Sequence, residues 1–294
     1  MKTLNLTDLE KSDIKYKINN YPDGQSNITI ESLSCSLHEG SAQIPLKDLY
    51  GGVEIKSRLN NFKDLELVIC ATKSLRGLGV REIHLYTPYF LGSRSDRKFE
   101  EGGNNYLKDV ICPIINSLEF SSVTVLDSHS YVLEACLNNF RNENNSKLMN
   151  FAIDDLFKTN IDFNYDDLVL VAPDAGASHK ILKSAESIGF KGDIITCSKE
   201  RDENGKLTKC VVPEFNRDIK HVIIVDDLTD YGSTFVNIVK YLLEKEYNCN
   251  YYLVVSHSIQ SEGLLNALKY FKNIYTTNSY KEHNIEQVKQ LNIF

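Results

Sequence analysis

Residues 221–235 read His-Val-Ile-Ile-Val-Asp-Asp-Leu-Thr-Asp-Tyr-Gly-Ser-Thr-Phe: a buried strand, an acidic loop and a helix in direct succession, the unit of an α/β fold. Val222 to Val225 is a continuous apolar run, which suits a strand covered on both faces of a parallel sheet. Asp226 to Thr234 reads as a loop of acids, hydroxyls and one glycine at that strand's C-terminal end. Phe235, Ile238, Val239, Leu242 and Leu243 then recur at the spacing of one helical face. Open α/β sheets bind ligands at such strand ends, and the N–H groups of a turn and a helix start can hold a phosphate. Asp226 and Asp227 would repel a phosphate set beside them. They suit sugar hydroxyls, gripped directly or through a metal, while the downstream turn takes the phosphate. The same pattern also fits an ordinary acidic strand end with no ligand.

With 294 residues the chain has room for two domains of ordinary size. A net charge of −7 makes nucleic acid or an anionic membrane an unsuitable main partner, without forbidding a locally basic anion site. The N-terminus lacks the apolar core of a signal peptide, and no run approaches the ~18 apolar residues of a membrane span. Seven cysteines are scattered without Cys-x-x-Cys or zinc spacing. Dispersed thiols in odd number fit a reducing, cytoplasmic location, most of them as small buried hydrophobes.

Tyr21-Pro-Asp-Gly-Gln25 is a turn signature between two extended runs within residues 15–31. Leu65 to Ala71 reads as a strand, as does Ile83 to Tyr86. The latter leads into Pro88–Lys98, which carries Arg94, Arg97 and Lys98 around Asp96. Arginine grips phosphate oxygens bidentately while a close acid fixes its rotamer; a solvated charged loop is the other reading. Glu100 to Asn105 reads as an exposed loop, followed by a helix through Leu107, Val110, Ile111, Ile114 and Ile115. Val123 to Leu126 is a strand ending in the polar turn Asp127-Ser-His129-Ser130. Residues 138–150 are asparagine-rich and mark a domain junction.

A second α/β unit begins with the strand Leu168–Ala172, the segment Pro173–Lys180 and a helix. Small residues after Asp174 let a ligand and a cation approach closely. Asp193 starts a short strand running into a charged loop with Lys199 and Arg201, which by pattern alone is a solvated hairpin. Val254–Ser258 is a further strand whose His257 reads as structural, Ser261–Lys269 a helix and Asn273–Asn278 a last strand. The two strand–acidic loop–helix units, at Asp174 and Asp226, surround one potential ligand site, and the two halves together suggest two similar domains.

Six of these segments, in order, resemble motifs of the ribose-phosphate diphosphokinases (phosphoribosyl pyrophosphate synthetases). Asp226–Thr234 looks like the signature Asp-Asp-x-x-Asp-Thr-Gly-Gly-Thr that this family shares with type I phosphoribosyltransferases. Tyr21–Gln25 resembles its Phe-x-Asp-Gly-Glu, and Pro88–Arg97 its Pro-Tyr-x-x-x-x-Arg-Gln-Asp-Arg. Asp127–His129 resembles part of its Val-Asp-Leu-His, Ala172–Ala177 its Ser-Pro-Asp-x-Gly-Gly, and Lys199–Arg201 its Lys-x-Arg. The resemblance implies an α/β chain of two type I phosphoribosyltransferase-like domains, each a mainly parallel sheet flanked by helices. Residues 1–147 would form the ATP-binding domain and 148–294 the sugar-phosphate domain, with room for the last ~15 residues to pack back on the first.

The implied activity moves the β,γ-diphosphate of ATP to the anomeric hydroxyl of ribose 5-phosphate, releasing AMP, with Mg²⁺ as cofactor. By resemblance, Tyr21, Asp23, Gln25, Arg94, Ser95, Asp96 and Arg97 bind ATP, and His129 and Asp174 hold the metal. Lys199 and Arg201 are catalytic. Asp226, Asp227, Asp230, Tyr231, Gly232, Ser233 and Thr234 hold the sugar phosphate. The stretch ahead of Tyr21 and the C-terminus are short for the family. A homodimer sharing the Tyr21–Gln25 loop is therefore the minimum assembly expected.

The main departure concerns the acceptor. Tyr231 and Ser233 stand where the family turn has Thr and Gly, and a tyrosine can stack on a base. ADP-ribose is thus the alternative acceptor, giving its 1-diphosphate for NAD resynthesis, a transfer that fits a divergent, phage-type member. A phosphoribosyltransferase is disfavoured by the ATP-type motifs, and an inactive regulatory homologue by the retained Lys199, Arg201, His129 and acids.

Overall fold

The computed structural model describes residues 1–33, 52–159, 164–201 and 207–294, the side chains of residues 32–33, 199–201 and 207–210 excepted. The chain divides into two units, Met1–Glu143 with Phe294, and Asn144–Ile293. Both are α/β, with a mainly parallel sheet flanked by helices, as the sequence leads one to expect.

The first unit contains β1 (Lys2–Asn5), β2 (Ile14–Asn20), β3 (Ser26–Leu33), β4 (Val53–Lys56), α1 (Phe62–Gly77) and β5 (Ile83–Tyr86). It continues through α2 (Cys112–Asn116), β6 (Ser122–Leu126), α3 (Val132–Cys136) and β7 (Phe140–Glu143). Among the described residues its sheet has the order β1-β4-β5-β6-β7, parallel throughout. β2 and β3 form an antiparallel hairpin closed by Tyr21–Gln25, with Gly24 at φ 92°.

The strand expected over Leu65–Ala71 is instead part of α1. Asn61 caps this helix, its side-chain oxygen accepting from the N–H groups of Lys63 (2.8 Å) and Asp64 (3.1 Å). The buried residues Leu65, Val68, Ala71, Thr72 and Leu75 follow the helical period. A seven-residue apolar window cannot separate the two periods; the cap and the 16-residue length do. The helix expected from Leu107 onward forms, but its first turn, Leu107–Ile111, is a π-turn in which the Cys112 N–H donates to the Leu107 carbonyl.

The second unit contains α4 (Ser146–Thr159), β8 (Leu168–Ala172), α5 (Ala175–Ser187), β9 (Asp193–Thr196), β10 (Ser198–Arg201) and β11 (Leu207–Val211). Then come β12 (His221–Thr229), α6 (Ser233–Glu244), β13 (Asn250–Ser258), α7 (Ser261–Ala267), β14 (Asn273–Thr277) and β15 (Val288–Leu291). Its parallel sheet has the order β15-β14-β13-β12-β8-β9. The strand read as the last, β14, is thus followed by β15, which pairs beside it. β10 and β11 pair antiparallel.

Val222 and Ile224 pack into one core with Phe235, Ile238 and Leu264, while Ile223 and Val225 pack into another with Leu148, Ile153 and Ile181. This is the two-sided burial that the continuous apolar run requires. Leu243 leaves the expected apolar face of α6: it is exposed, and the buried stripe is Phe235, Ile238, Val239 and Leu242. Among the described residues no helix is long and apolar enough to cross a membrane.

Candidate functional site

In the second unit, chain order runs one way from β8 to β9 and the other way from β12 to β13 and β14. The reversal falls between β8 and β12, where open α/β sheets place their ligand crevice. Asp174 follows β8 there, and Asp226 and Asp227 lie on β12.

The two acids are in the strand itself, which corrects the loop expected from Asp226 onward. β12 runs to Thr229 because β13 runs alongside it, pairing Asp226 with Val255, Leu228 with His257 and Thr229 with Ser258. Sequence reading ended the strand where the apolar residues end; main-chain pairing continues through polar side chains. Asp227 is buried and its carboxylate lies 3.3 Å from the Lys180 ammonium on α5. Asp226 is half-buried, and its Oδ1 accepts the Asp227 N–H at 2.9 Å. Burial, and next the adjacent charge of Asp227, push the Asp226 carboxyl well above the usual carboxylate range.

The turn beyond β12 is Asp230-Tyr231-Gly232, with Gly232 in the left-handed region at φ 74°. Tyr231 is exposed, Ser233 exposed and Thr234 half-buried. Gly232, the N-cap of α6, brings no side chain to that helix start, and helix N-termini suit anions. By contrast, Asp174 caps α5, its Oδ1 accepting the Ala177 N–H at 3.0 Å. Lys199 and Arg201 lie on β10, which leaves the C-terminal end of β9, where the Cys197 N–H donates to the Ala172 carbonyl. Asp174, Asp226, Asp227 and the Asp230–Thr234 turn therefore lie along one edge of the sheet, at the ends of β8 and β12, while Lys199 and Arg201 lie on the separate β10–β11 pair that follows β9.

In the first unit, the Arg94–Arg97 loop follows β5 and the His129 turn follows the adjacent β6. The two are joined by the Ser130 hydroxyl, which donates to Asp96 Oδ2 at 2.6 Å, and Asn105 donates to the Asp96 carbonyl oxygen at 2.6 Å. Arg94, Arg97 and His129 are exposed, with Arg97 against the Phe99 ring. The buried Asp127 adopts φ 45°, a left-handed turn that redirects the chain after β6. Tyr21 is half-exposed at the hairpin tip, where Lys63 donates to the Gly24 carbonyl.

Among the described residues no three His, Cys, Asp or Glu side chains converge on a metal-sized point. Mg²⁺ bound with substrate phosphates needs only one or two protein carboxylates. Asp174, a half-buried carboxylate at the N-cap of α5, fits that requirement; the His129 imidazole is a less natural direct ligand for so hard an ion.

Three residues escaped the sequence reading: Lys180, Ser130 and Gly263. Only Gly263 had a signal, a glycine inside a helical pattern. An ideal Cβ there would lie 1.9 Å from the Asp230 carbonyl oxygen, so α7 seats its backbone directly on the acceptor turn.

No family model matches the chain. It is 28% identical over 177 residues to a ribose-phosphate pyrophosphokinase of Saccharolobus solfataricus, a match covering 60% of this chain and 57% of that protein. It is 26% identical over 272 residues to a ribose-phosphate pyrophosphokinase of Sulfurisphaera tokodaii, covering 90% of this chain and 84% of that protein. The crystal structure of phosphoribosylpyrophosphate synthetase from Mycobacterium smegmatis superposes with a TM-score of 0.72 at 15% identity, covering 97% of this chain and 88% of the other. The likeness establishes the fold: two type I phosphoribosyltransferase-like units.

Proposed function

We propose, from the premise that this chain resembles the ribose-phosphate pyrophosphokinases in sequence and fold, that it is an ATP-dependent diphosphotransferase. The anomeric hydroxyl of ribose 5-phosphate attacks the β-phosphorus of ATP and loses its proton. The bond from that phosphorus to the oxygen bridging to the α-phosphate breaks, and AMP leaves with that oxygen.

The observation that carries this reading is the arrangement at the chain-order reversal. Two acids on β12 suit the ribose hydroxyls, and immediately beyond them the Asp230–Thr234 turn enters α6 through Gly232 in the left-handed region, a helix start that suits the 5-phosphate. Transfer of this kind depends on positioning and charge stabilisation. In this reading Lys199 and Arg201 stabilise charge on the transferring group and on the departing AMP. Arg94, Asp96 and Arg97, with Ser95 and the Tyr21, Asp23 and Gln25 hairpin, hold ATP. By resemblance Asp174 and His129 are the residues that would hold Mg²⁺, which would supply neutralisation of phosphate charge. The enzyme is cytoplasmic and at least dimeric, the hairpin reaching the ATP of a neighbouring copy; light scattering that returns a monomer removes that element.

A second acceptor, ADP-ribose, is favoured by one feature. Tyr231 is 59% exposed in the acceptor turn, where it can stack on a base attached beyond the 5-phosphate. One experiment separates the readings: incubation with Mg-ATP and either sugar, with AMP and the sugar product followed by mass. Ribose 5-phosphate gaining a diphosphate supports the first reading, ADP-ribose gaining one supports the second, and AMP from neither refutes both. Lys199→Ala is expected to cut turnover by orders of magnitude with a modest effect on sugar binding.

A further inference from the structure

Sequence logic treats Asp226 and Asp227 alike, but their surroundings differ. Adjacent strand residues point to opposite faces of a sheet. Asp227 shares a face with Ile223 and Val225, whose core includes Ile181 of α5. From the same helix Lys180 brings its ammonium 3.3 Å from Asp227 Oδ2, with side-chain exposures of 22% and 5%. A carboxylate so buried requires a partner. Asp226 lies on the opposite face and is half-buried.

α5 is itself fixed at several points along the same sheet edge. Asp174 caps it after β8, and Thr196 at the end of β9 donates to the Ser178 hydroxyl at 2.7 Å. Lys180 completes the set by reaching β12. One helix thus ties together the ends of the three strands that carry the candidate site.

We infer that Lys180 is a positioning residue for the sugar acceptor: its ion pair with Asp227 fixes the acceptor end of β12 and leaves Asp226 as the acid that grips the ribose hydroxyls. The inference rests on the proposed diphosphotransfer to a ribose phosphate. Lys180 touches no substrate; it holds in place a strand that does.

The test measures AMP release against sugar and ATP concentrations, and thermal stabilisation by ribose 5-phosphate or ADP-ribose without ATP. The proteins are wild type, Lys180→Met, Lys180→Arg, Asp227→Asn and the double variant Lys180→Met/Asp227→Asn. Lys180→Met is expected to raise the sugar KM by on the order of tenfold or more and to leave the ATP KM unchanged. Lys180→Arg restores the sugar KM. In the Asp227→Asn background, loss of Lys180 adds nothing, because no buried charge remains to be paired. The double variant also keeps the test open if Lys180→Met alone fails to fold. An equal effect of Lys180→Met with and without Asp227, or equal losses for sugar and ATP, overturns the role of Lys180 alone. A wild-type protein that neither binds nor uses either sugar phosphate overturns the proposed function and this inference with it.

Discussion

Replacing Gly263 by alanine should disable the acceptor turn from behind. An ideal Cβ on Gly263 lies 1.9 Å from the Asp230 carbonyl oxygen and 2.9 Å from the Tyr231 Cα, both main-chain atoms that no rotamer change can move aside. Real Cβ contacts essentially never fall under 3.0 Å, so helix and turn must separate by at least about 1.1 Å. Overpacking of this kind costs roughly 1–3 kcal/mol. Alanine's helix preference over glycine offsets about 1 kcal/mol of that, leaving a net loss of up to about 2 kcal/mol. On the transfer reading the functional effect is larger, because a displacement of ~1 Å at a positioning element can cost on the order of 10²-fold in rate. AMP release measured against sugar concentration at saturating ATP should show kcat/KM for the sugar falling by roughly 10- to 100-fold. Thermal unfolding should drop by a few degrees, about 2–4 °C per kcal/mol for a unit of this size. A Gly263→Ala protein with wild-type unfolding temperature and wild-type sugar kinetics would refute the close seating of α7 on the turn.

Asn61→Ala should lower stability by about 1 kcal/mol through loss of the α1 cap, read by denaturant unfolding, with no change in sugar kinetics. Asp155 should support an acid-sensitive stability. Burial alone would raise its carboxyl, but hydrogen bonds from Lys289 (2.6 Å) and Tyr275 (2.7 Å) outweigh that and hold it below its ordinary value. The depressed folded value means the contribution is present at neutral pH and lost as pH falls through that value, below about 4. Asp155→Asn should therefore flatten the acid limb of a stability–pH curve. Asp226 carries the opposite sign. Because its folded value is raised, rising pH above about 4 ionises the unfolded chain first and lowers stability. Asp226→Asn should then unfold at a higher temperature than wild type at pH 8, with the gain vanishing near pH 4, while sugar kcat/KM falls.

What the sequence made legible was the part written in local chemistry. The runs Leu168–Ala172 and Val222–Val225 read as strands covered on both faces, and Tyr21–Gln25 reads as a turn. The misreadings come from information that lies elsewhere in the fold. Leu65–Ala71 has the composition of a strand, and its helical state is set by Asn61 outside the run and by the burial of Leu75 beyond it. The polar end of β12 is a strand because β13 pairs with it from about thirty residues further on, a fact that no window around Asp226 contains. Lys180 meets Asp227 across forty-seven residues of chain, and Ser130 meets Asp96 across thirty-four. Neither pair has a local pattern to betray it.

The length mismatch between β8 and β12 shows how the acceptor end is made. The two pair in register only from His221 with Leu168 to Ile224 with Val171. Continuing that register would set Asp226 beside Pro173. Proline has no N–H to add to a ladder, so β8 stops at Ala172 and the chain turns at once into the Asp174 cap of α5. β12 keeps its partner on the other side and runs on to Thr229. The result is a step in the sheet edge, with the acids held on a strand paired along one side only. A carboxylate on a paired strand is held more precisely than one on a loop. Pro173→Ala tests this. If the proline makes the step, alanine lets β8 extend toward Asp226, and sugar affinity falls while the fold, read by circular dichroism, persists. Unchanged sugar affinity in a folded Pro173→Ala protein would mean that the step is set by the α5 cap instead.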